Sequence, residues 1–277
     1  MKLIGKSAPV LAIVLLALSG ANCSKLQSRD QLNKGVANFR NAQYSEAVEN
    51  FKTAVDLDPS YITARQYLAV AYFQQYVPGA ETPENRQIWQ AAYDQFQKVV
   101  DQDPKNALAV GYIASLYFNR KDWTNAQRWY EKLAAIEPNN KEAYYNLAVI
   151  TYWEWYREYD NTRMSLKMKQ DDPGPFKDKK VREDLTARFG PMIDVALKNL
   201  DKCLQIDPEN EDAMTYKNLL IRERADLADN QEGYKEQIEG KEGANYWLDK
   251  ALATIKIKAD RKAKKTGGGI VADQGSN

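Results

Sequence analysis

The feature that most constrains the fold is a short spacing pattern that recurs four times along the chain. An alanine is followed four residues later by a large apolar residue, three residues after that by a smaller one, and five residues further on by a proline. Residues at i, i+4 and i+7 form one stripe on a helix, and proline ends a helix because it lacks an N–H and disfavours the α conformation of its predecessor. The pattern therefore predicts a helix on which the alanine lets a neighbouring helix approach closely and which ends just before the proline. The four sets are Ala47, Phe51, Ala54 and Pro59; Ala92, Phe96, Val99 and Pro104; Ala126, Tyr130, Leu133 and Pro138; and Ala196, Leu200, Cys203 and Pro208.

The spacing between these prolines indicates a repeat. Successive prolines are 45, 34 and 70 residues apart, and residues 105–138 carry the apolar positions of two helices without a gap, with Ile113 and Ala114 in the first. Thirty-four residues is the period of the tetratricopeptide repeat, and these residues resemble that family. The resemblance implies an all-α, right-handed superhelical solenoid of antiparallel helix hairpins, similar to exported bacterial proteins that carry this repeat and a lipid anchor.

The resemblance divides the chain into about five repeats, each made of a helix A and a helix B. Both helix signatures survive throughout, so the excess residues of repeats 2, 4 and 5 are predicted to lie between helices A and B. For residues 153–191 two interpretations stay open: an insertion with a second helix from about Lys177, or a degenerate extra repeat. The polar insertion of repeat 5 is predicted to be mobile. The repeats run about 28–61, 62–106, 107–140, 141–210 and 211–258, within a solenoid domain over 28–260 that is followed by a flexible tail, 261–277.

The N-terminus has the pattern of a targeting signal. Lys2 and Lys6 precede or flank an apolar stretch, Ala8–Leu18, that is shorter than the roughly 20 residues needed to span a bilayer. Such a stretch is typical of a signal peptide. Residues 1–22 are therefore predicted to be a signal peptide, and residues 23–27 a short tether.

The two cysteines have different predicted roles. The stretch LSGANCS resembles a lipobox and places Cys23 where a lipoprotein carries its lipidated cysteine, although Asn22 and Gly20 depart from the usual residues. The alternative is ordinary cleavage after Ala21. The mature chain is accordingly expected to be exported, either as a membrane-anchored lipoprotein facing the periplasm or as a secreted, periplasmic protein. Cys203 occupies the small-residue position of a helix B and is predicted to be buried and inert.

Composition restricts the chemistry available. The chain has no histidine, which removes Ser-His-Asp and Cys-His arrangements and histidine-ligated zinc. Lys+Arg 39 against Asp+Glu 38 leaves a formal net charge of +1, so no global field favours nucleic acid. No catalytic residues, metal site or small-molecule cofactor are therefore predicted.

The resemblance also assigns groove-facing positions of helix A. An aromatic residue recurs at each level, which would suit an extended peptide or an amphipathic helix. The other interpretation is that these aromatic residues pack between repeats. The candidate groove residues are Phe39, Arg40, Phe73, Phe118, Asn119, Tyr145, Tyr152 and Trp153.

The densest aromatic cluster is YWEWYREY, residues 152–159. Trp155, Tyr156 and Tyr159 share one helical face with Tyr152, while Trp153 points elsewhere. That face is expected either to pack on the second inserted helix or to serve as a platform for a partner or a glycan.

The sequence thus predicts a non-enzymatic protein–protein interaction scaffold of the bacterial cell envelope. Its partners would be a polypeptide, bound in the groove or against the inserted edge, and the membrane through the lipid anchor. The alternative is a cell-wall glycan-binding or glycan-cleaving helical superhelix, in which Glu154 and Glu158 would be the candidate acids.

Overall fold

The computed structural model describes residues 8–169 and 172–267, with side chains described from Cys23 to Lys265. Lys2, Lys6 and residues 268–277 of the predicted tail lie outside the described residues. Helices account for most of the described chain, and no strand occurs in it. The helices are α1 Ala8–Arg40, α2 Tyr44–Leu57, α3 Ile62–Gln75, α4 Pro83–Gln102, α5 Ala107–Asn119, α6 Trp123–Ile136, α7 Lys141–Ser165, α8 Lys179–Ile206, α9 Glu211–Ala225, α10 Gln231–Glu239 and α11 Ala244–Gly267.

Helix pairing follows the chain order, within two compact units that divide between Trp129 and Tyr130, inside α6. In unit 1, α1 packs on α2, α2 on α3, α3 on α4 and α4 on α5. The recurring alanines are fully buried at these contacts, and the Phe51 ring fills the space beside Gly35. A Cβ at position 35 would lie 2.4 Å from Phe51 Cε1. The small residues therefore act as predicted, by letting neighbouring helices approach closely.

The turns between repeats are shaped by asparagine as well as proline. The Asn two residues after each of three prolines accepts a hydrogen bond from the backbone N–H three residues further on, with Asn106 at 3.1 Å, Asn140 at 3.0 Å and Asn210 at 2.9 Å. These side chains satisfy a donor that the first helical turn leaves free, which stabilises a helix by about 1 kcal/mol. Each proline thus ends one helix B, and the following asparagine starts the next helix A.

The insertion in repeat 2 forms a short loop and an extra turn of α4. Asn85 organises the loop: its Nδ2 donates to the carbonyls of Val77 and Ala80 at 2.8 and 2.7 Å, and its Oδ1 accepts from Val77 N at 2.9 Å. The side chain is buried, so these bonds replace the water that it would otherwise bind.

In unit 2, the insertion of repeat 4 lengthens both helices of one hairpin. Helix α7 spans 25 residues and α8 spans 28, with Pro191 inside α8, and a segment over 166–178 joins them. The described part of 153–191 contains no additional hairpin, in agreement with an insertion rather than a degenerate repeat. The second helix begins at Lys179, close to the predicted Lys177.

Repeat 5 differs from the prediction in two respects. Its polar insertion is not a featureless loop but contains α10, which packs on α9 and α11 and buries Ile238. In α11, Leu248 stands four residues after Ala244, where the recurring pattern has a large buried apolar residue, but its side chain is 39% exposed. The neighbouring Trp247 is buried instead, beside Ala244 and Ala251. The indole also lies against the Lys217 ammonium, 3.9 Å from the ring centroid. This cation–π contact accounts for a lysine at a position where the repeat pattern expects an apolar residue.

The all-α, tetratricopeptide-like arrangement of helical hairpins is confirmed. Within the described ranges, none of the helices combines the length and the apolar character needed to cross a bilayer. The same residues contain no cluster of side chains suited to a metal ion.

Candidate partner-binding surface

In unit 1, the predicted groove residues are half-buried aromatic side chains, apart from Asn119 and the exposed Arg40. Each ring packs edge-on against one neighbouring ring, a geometry worth about 0.5–1.5 kcal/mol beyond the buried area. These rings therefore contribute to helix packing and keep part of their surface accessible. The pairs are Phe39–Tyr44 at 5.3 Å, Phe73–Tyr112 at 4.8 Å and Phe118–Trp123 at 5.4 Å between centroids.

In unit 2, the predicted groove residues are buried to very different extents. Tyr145 and Tyr152 pack edge-on against Tyr216 of α9, with centroids 5.7 and 5.2 Å away. Tyr152 is only 7% exposed and offers little surface, whereas Trp153 is 44% exposed. Trp153 is therefore the aromatic groove residue of this unit that is most available to a partner.

The remaining aromatic residues of the 152–159 cluster support the insertion. Trp155 is fully buried, and its ring lies 5.0 Å from Phe189 of α8. Tyr159 lies 5.9 Å from Phe176, in the segment that joins the two helices. This face thus packs on the second inserted helix, as one of the two interpretations predicts.

A cavity of about 340 Å³ opens between α7 and α9, the A helices of repeats 4 and 5. The sequence pattern did not indicate it, because its two walls are separated by more than 50 residues along the chain. Its walls combine aromatic rings, an apolar side and a buried acid. The residues that line it include Tyr152, Tyr156, Tyr159, Asp160, Met164 and Glu223.

A buried ion pair lies beside this cavity. Arg163 pairs with Asp226, and the side chains of both are less than a tenth exposed. The Tyr159 hydroxyl donates to Asp226 Oδ2 at 2.9 Å, and Arg163 Nη2 donates to the carbonyls of Lys169 and Asp172. Because its charges are matched and hydrogen-bonded, the pair can stay ionised away from water. It also ties the segment after α7 to the end of α9.

Glu223 is a second buried acid beside the cavity, and it does not belong to the network of Arg163, Asp226 and Tyr159. It is 5% exposed, and its Oε2 has no hydrogen-bond partner among the described residues. Burial raises the pKa of Glu223 to about 8, although Trp155 and Tyr152 partly oppose this shift. At neutral pH the side chain is therefore mostly a neutral acid with unused hydrogen-bonding capacity. No sequence signal distinguishes Glu223 from the surface glutamates of other helices.

The other candidate residues occupy ordinary positions. Glu158 lies 3.3 Å from Arg188 in a partly exposed ion pair, and burial raises the pKa of Glu154. Cys203 is buried, and burial raises the pKa of its thiol to about 11, in line with the predicted inert thiol. Cys23 is exposed in α1.

Consecutive helical hairpins with a ligand-sized cavity between two A helices define a helical-repeat protein with a surface suited to binding. The family model described as TPR repeat matches residues 35–75, and the model described as Tetratricopeptide repeat matches residues 89–150. Residues 35–75 and 89–150 therefore carry tetratricopeptide repeats. No curated protein matches the sequence of the chain.

Solved structures of the protein MamA share this fold. One is 14% identical, covers 90% of this chain and 98% of its own, and gives a TM-score of 0.54. A second, MamA 41-end from Desulfovibrio magneticus RS-1, is also 14% identical, covers 83% and 96%, and gives a TM-score of 0.54. A third is 16% identical, covers 82% and 96%, and gives 0.53. At these identities the likeness concerns the fold alone.

Proposed function

We propose that this protein is a non-enzymatic scaffold of the bacterial cell envelope that holds a partner polypeptide against its A helices. The tetratricopeptide fold supports a role in protein–protein interaction, since it stacks hairpins into an extended surface rather than building a catalytic pocket. The observation that carries the proposal is the exposed Trp153 on the same helix as an aromatic-lined cavity. Aromatic side chains that are partly buried and partly accessible are typical anchors for a bound chain.

Photo-cross-linking in intact cells tests this proposal. A photoreactive phenylalanine analogue replaces Trp153, and a matched variant carries it at Val195, which is 55% exposed on α8, a B helix. We expect one discrete protein adduct from position 153 and none from position 195. The same adducts from both positions, or none from position 153, would contradict binding at the A helices.

We also propose that the protein is exported and that a lipid on Cys23 anchors it to a membrane, so that the protein faces the periplasm. The support is the signal-like N-terminus and the cysteine that follows it, because several acyl chains hold a protein firmly at a membrane. Cys23→Ala should move the protein from the membrane fraction to the soluble fraction, whereas Cys203→Ala should leave it at the membrane. Mass spectrometry of the mature N-terminus should show a diacylglycerol-sized addition; an unmodified terminus after Ala21 would instead indicate secretion.

A further inference from the structure

We propose that the cavity between α7 and α9 binds the side-chain ammonium group of a lysine carried by the partner polypeptide, with Glu223 as its buried counter-ion. This assignment rests on the proposed function in one respect, namely that the lysine belongs to a bound partner. It is carried by three observations in the described residues. They are a buried carboxyl oxygen without a hydrogen-bond partner, tyrosine rings around the same space and a cavity of suitable size.

The unpartnered carboxyl group requires an explanation of its own. A buried polar atom without a hydrogen bond destabilises the folded state, and such an atom in a native protein calls for an explanation, for example an absent ion or water. Glu223 lines the cavity while its Oε2 has no partner. The neighbouring acid Asp226 is already matched by Arg163 and Tyr159. Glu223 thus keeps one buried carboxyl oxygen, Oε2, to which the described residues supply no hydrogen bond.

The walls of the cavity suit an alkylammonium group. Tyr152 and Tyr156 stack with centroids 5.5 Å apart, and Tyr159 lines the same space. Tyrosine faces attract cations, while Met164 and Leu219 line the same cavity and offer apolar contact to a methylene chain. About 340 Å³ is within the range of small-ligand pockets. A lysine side chain needs both features, an apolar channel and a charged end.

The charges around the cavity leave room for one more cation. Arg163 is neutralised by Asp226, whereas Arg222 keeps its positive charge, since its hydrogen bond at 2.9 Å is to the uncharged Asn245 Oδ1. An ionised Glu223 and Asp160 together outweigh Arg222 by one negative charge. Asp160 adds a second carboxylate at the exposed rim. A bound ammonium group would therefore face Glu223 and Asp160, each without an ion pair in the described structure. The titratable and charged groups that face Glu223 are Tyr152, Tyr159, Asp160 and Arg163 from α7, with Arg222 and Asp226 from α9 and its end.

Binding of a cation here should release a proton. Burial raises the pKa of Glu223 to about 8, so at pH 7 about nine-tenths of the molecules hold it protonated. An ammonium group favours the ionised form, and the displaced proton goes to the buffer. A purely apolar or structural cavity would not show this coupling.

Isothermal titration calorimetry with Nα-acetyl-lysine-N-methylamide tests the pocket without any knowledge of the partner. Titration of the purified protein at pH 7 in two buffers of different ionisation enthalpy gives both affinity and proton release. We expect saturable binding with a millimolar dissociation constant and release of about 0.9 proton per ligand. The norleucine analogue, which has the same chain length but no ammonium group, should bind at least tenfold more weakly.

The variants separate the pocket from general effects on the fold. Glu223→Gln keeps the shape but not the charge, and should weaken amine binding at least tenfold and abolish proton release. Tyr156→Leu removes one wall and should weaken binding severalfold, which gives a second measurement if the first variant folds poorly. Glu239→Gln, on the exposed end of α10, is the matched control and should behave as the parent protein does.

Several results would overturn the assignment. They are absence of saturable binding, equal binding of the norleucine analogue, or unchanged binding by both Glu223→Gln and Tyr156→Leu. Tighter binding of glycinamide, whose only ammonium is the α-amino group, would assign the pocket to a chain terminus and overturn the lysine. Amine binding without cross-linking from position 153 would contradict the scaffold role alone, and cross-linking without amine binding would contradict the pocket alone.

Discussion

At the residue scale, the buried acids Glu223 of α9 and Asp226 just after it differ in how many of their carboxyl oxygens are hydrogen-bonded. Asp226 has an arginine and a tyrosine hydroxyl beside it, whereas Glu223, three residues earlier, has an oxygen without a hydrogen-bond partner. Sequence reasoning predicted neither environment. Arg163 and Tyr159, the α7 partners of Asp226, are more than 60 residues away along the chain, and charged residues on a helix are usually solvated. Only the packing of α7 on α9 brings these groups together.

Glu223 should make the protein less stable as the pH rises. In the folded chain its pKa is raised to about 8 from the ordinary 4.5, so the folded state holds a proton that the unfolded state releases between these values. The free energy of unfolding should therefore fall with increasing pH across this window, by up to about 1.4 kcal/mol per pH unit. Urea unfolding at pH 5.5, 6.5 and 7.5 measures the slope. Glu223→Gln should flatten it, and an identical slope in both proteins would contradict a protonated Glu223.

Arg163 should be far more important for stability than an exposed arginine of the same unit. Arg163→Ala leaves Asp226 buried and unpaired, which costs about 3–5 kcal/mol. Arg188→Ala removes ion pairs with Glu158 and Asp184 that are largely exposed, so the loss of stability should be much smaller. Chemical denaturation of both variants gives the comparison. Equal losses would mean that the buried pair has no special role.

At the element scale, proline spacing predicted helix ends well, whereas composition predicted the inserted segments poorly. Helices α4 and α6 do end two residues before Pro104 and Pro138, because proline lacks a backbone N–H and disfavours the α conformation of its predecessor. Pro191 lies inside α8, so a proline alone does not always end a helix. Helix α10 was missed because its sequence is almost wholly polar, and its helical form depends on the packing of Ile238 against the rest of unit 2. The capping role of Asn106 was missed as well, although the Pro-x-Asn spacing was legible in the sequence.

The segment that joins α7 and α8 is held to the end of α9 and to the start of α10 by several contacts. Phe176 N donates to the Asp226 carbonyl at 2.9 Å, and Gln231 donates to the Gly174 carbonyl at 2.8 Å. A Cβ at position 174 would lie 1.7 Å from Asp226 Oδ1. Glycine is therefore required here for close approach, and the inserted hairpin is built into unit 2 rather than attached to its surface.

Gly174→Ala should consequently destabilise the protein, by about 1–3 kcal/mol as expected for an overpacked site. Gly233→Ala is the control, because the nearest atoms to its added Cβ are 3.6 Å away, and alanine favours a helix by about 0.5–1 kcal/mol over glycine. Thermal unfolding should show a lower midpoint for the first variant and an unchanged or higher midpoint for the second. A midpoint for Gly174→Ala that equals that of the parent would mean that this contact is dispensable.

At the scale of the whole molecule, the repeats determine architecture but leave the binding chemistry unspecified. Alanine notches and proline stops predicted the all-α hairpin fold because they act through local sterics that every copy shares. The abundance of tyrosine and tryptophan was also visible, but which rings pack and which stay accessible depends on neighbours from other repeats. Tyr152 and Trp153 are adjacent in sequence, and only the second keeps a large exposed area.

The two thiols should react at very different rates. Burial raises the pKa of Cys203 to about 11 and shields the sulfur, whereas Cys23 is exposed, and thiolate attack needs both ionisation and access. In protein made without lipid modification, Ellman's reagent at pH 8 should titrate one thiol per native chain and two in guanidinium chloride. The Cys203→Ala variant should retain the fast native reaction, and two fast thiols in the parent protein would contradict the burial.

The burial of that second sulfur has a practical consequence. In protein made without lipid modification, a maleimide dye or spin probe would attach at Cys23 alone, without any prior removal of the other cysteine. With a fluorophore at the amino-terminal end, distances to an acceptor on a captured protein could be followed as the two associate. Because the buried Cys203 does not react, Cys23 is a single reference point from which the orientation of a bound partner could be mapped.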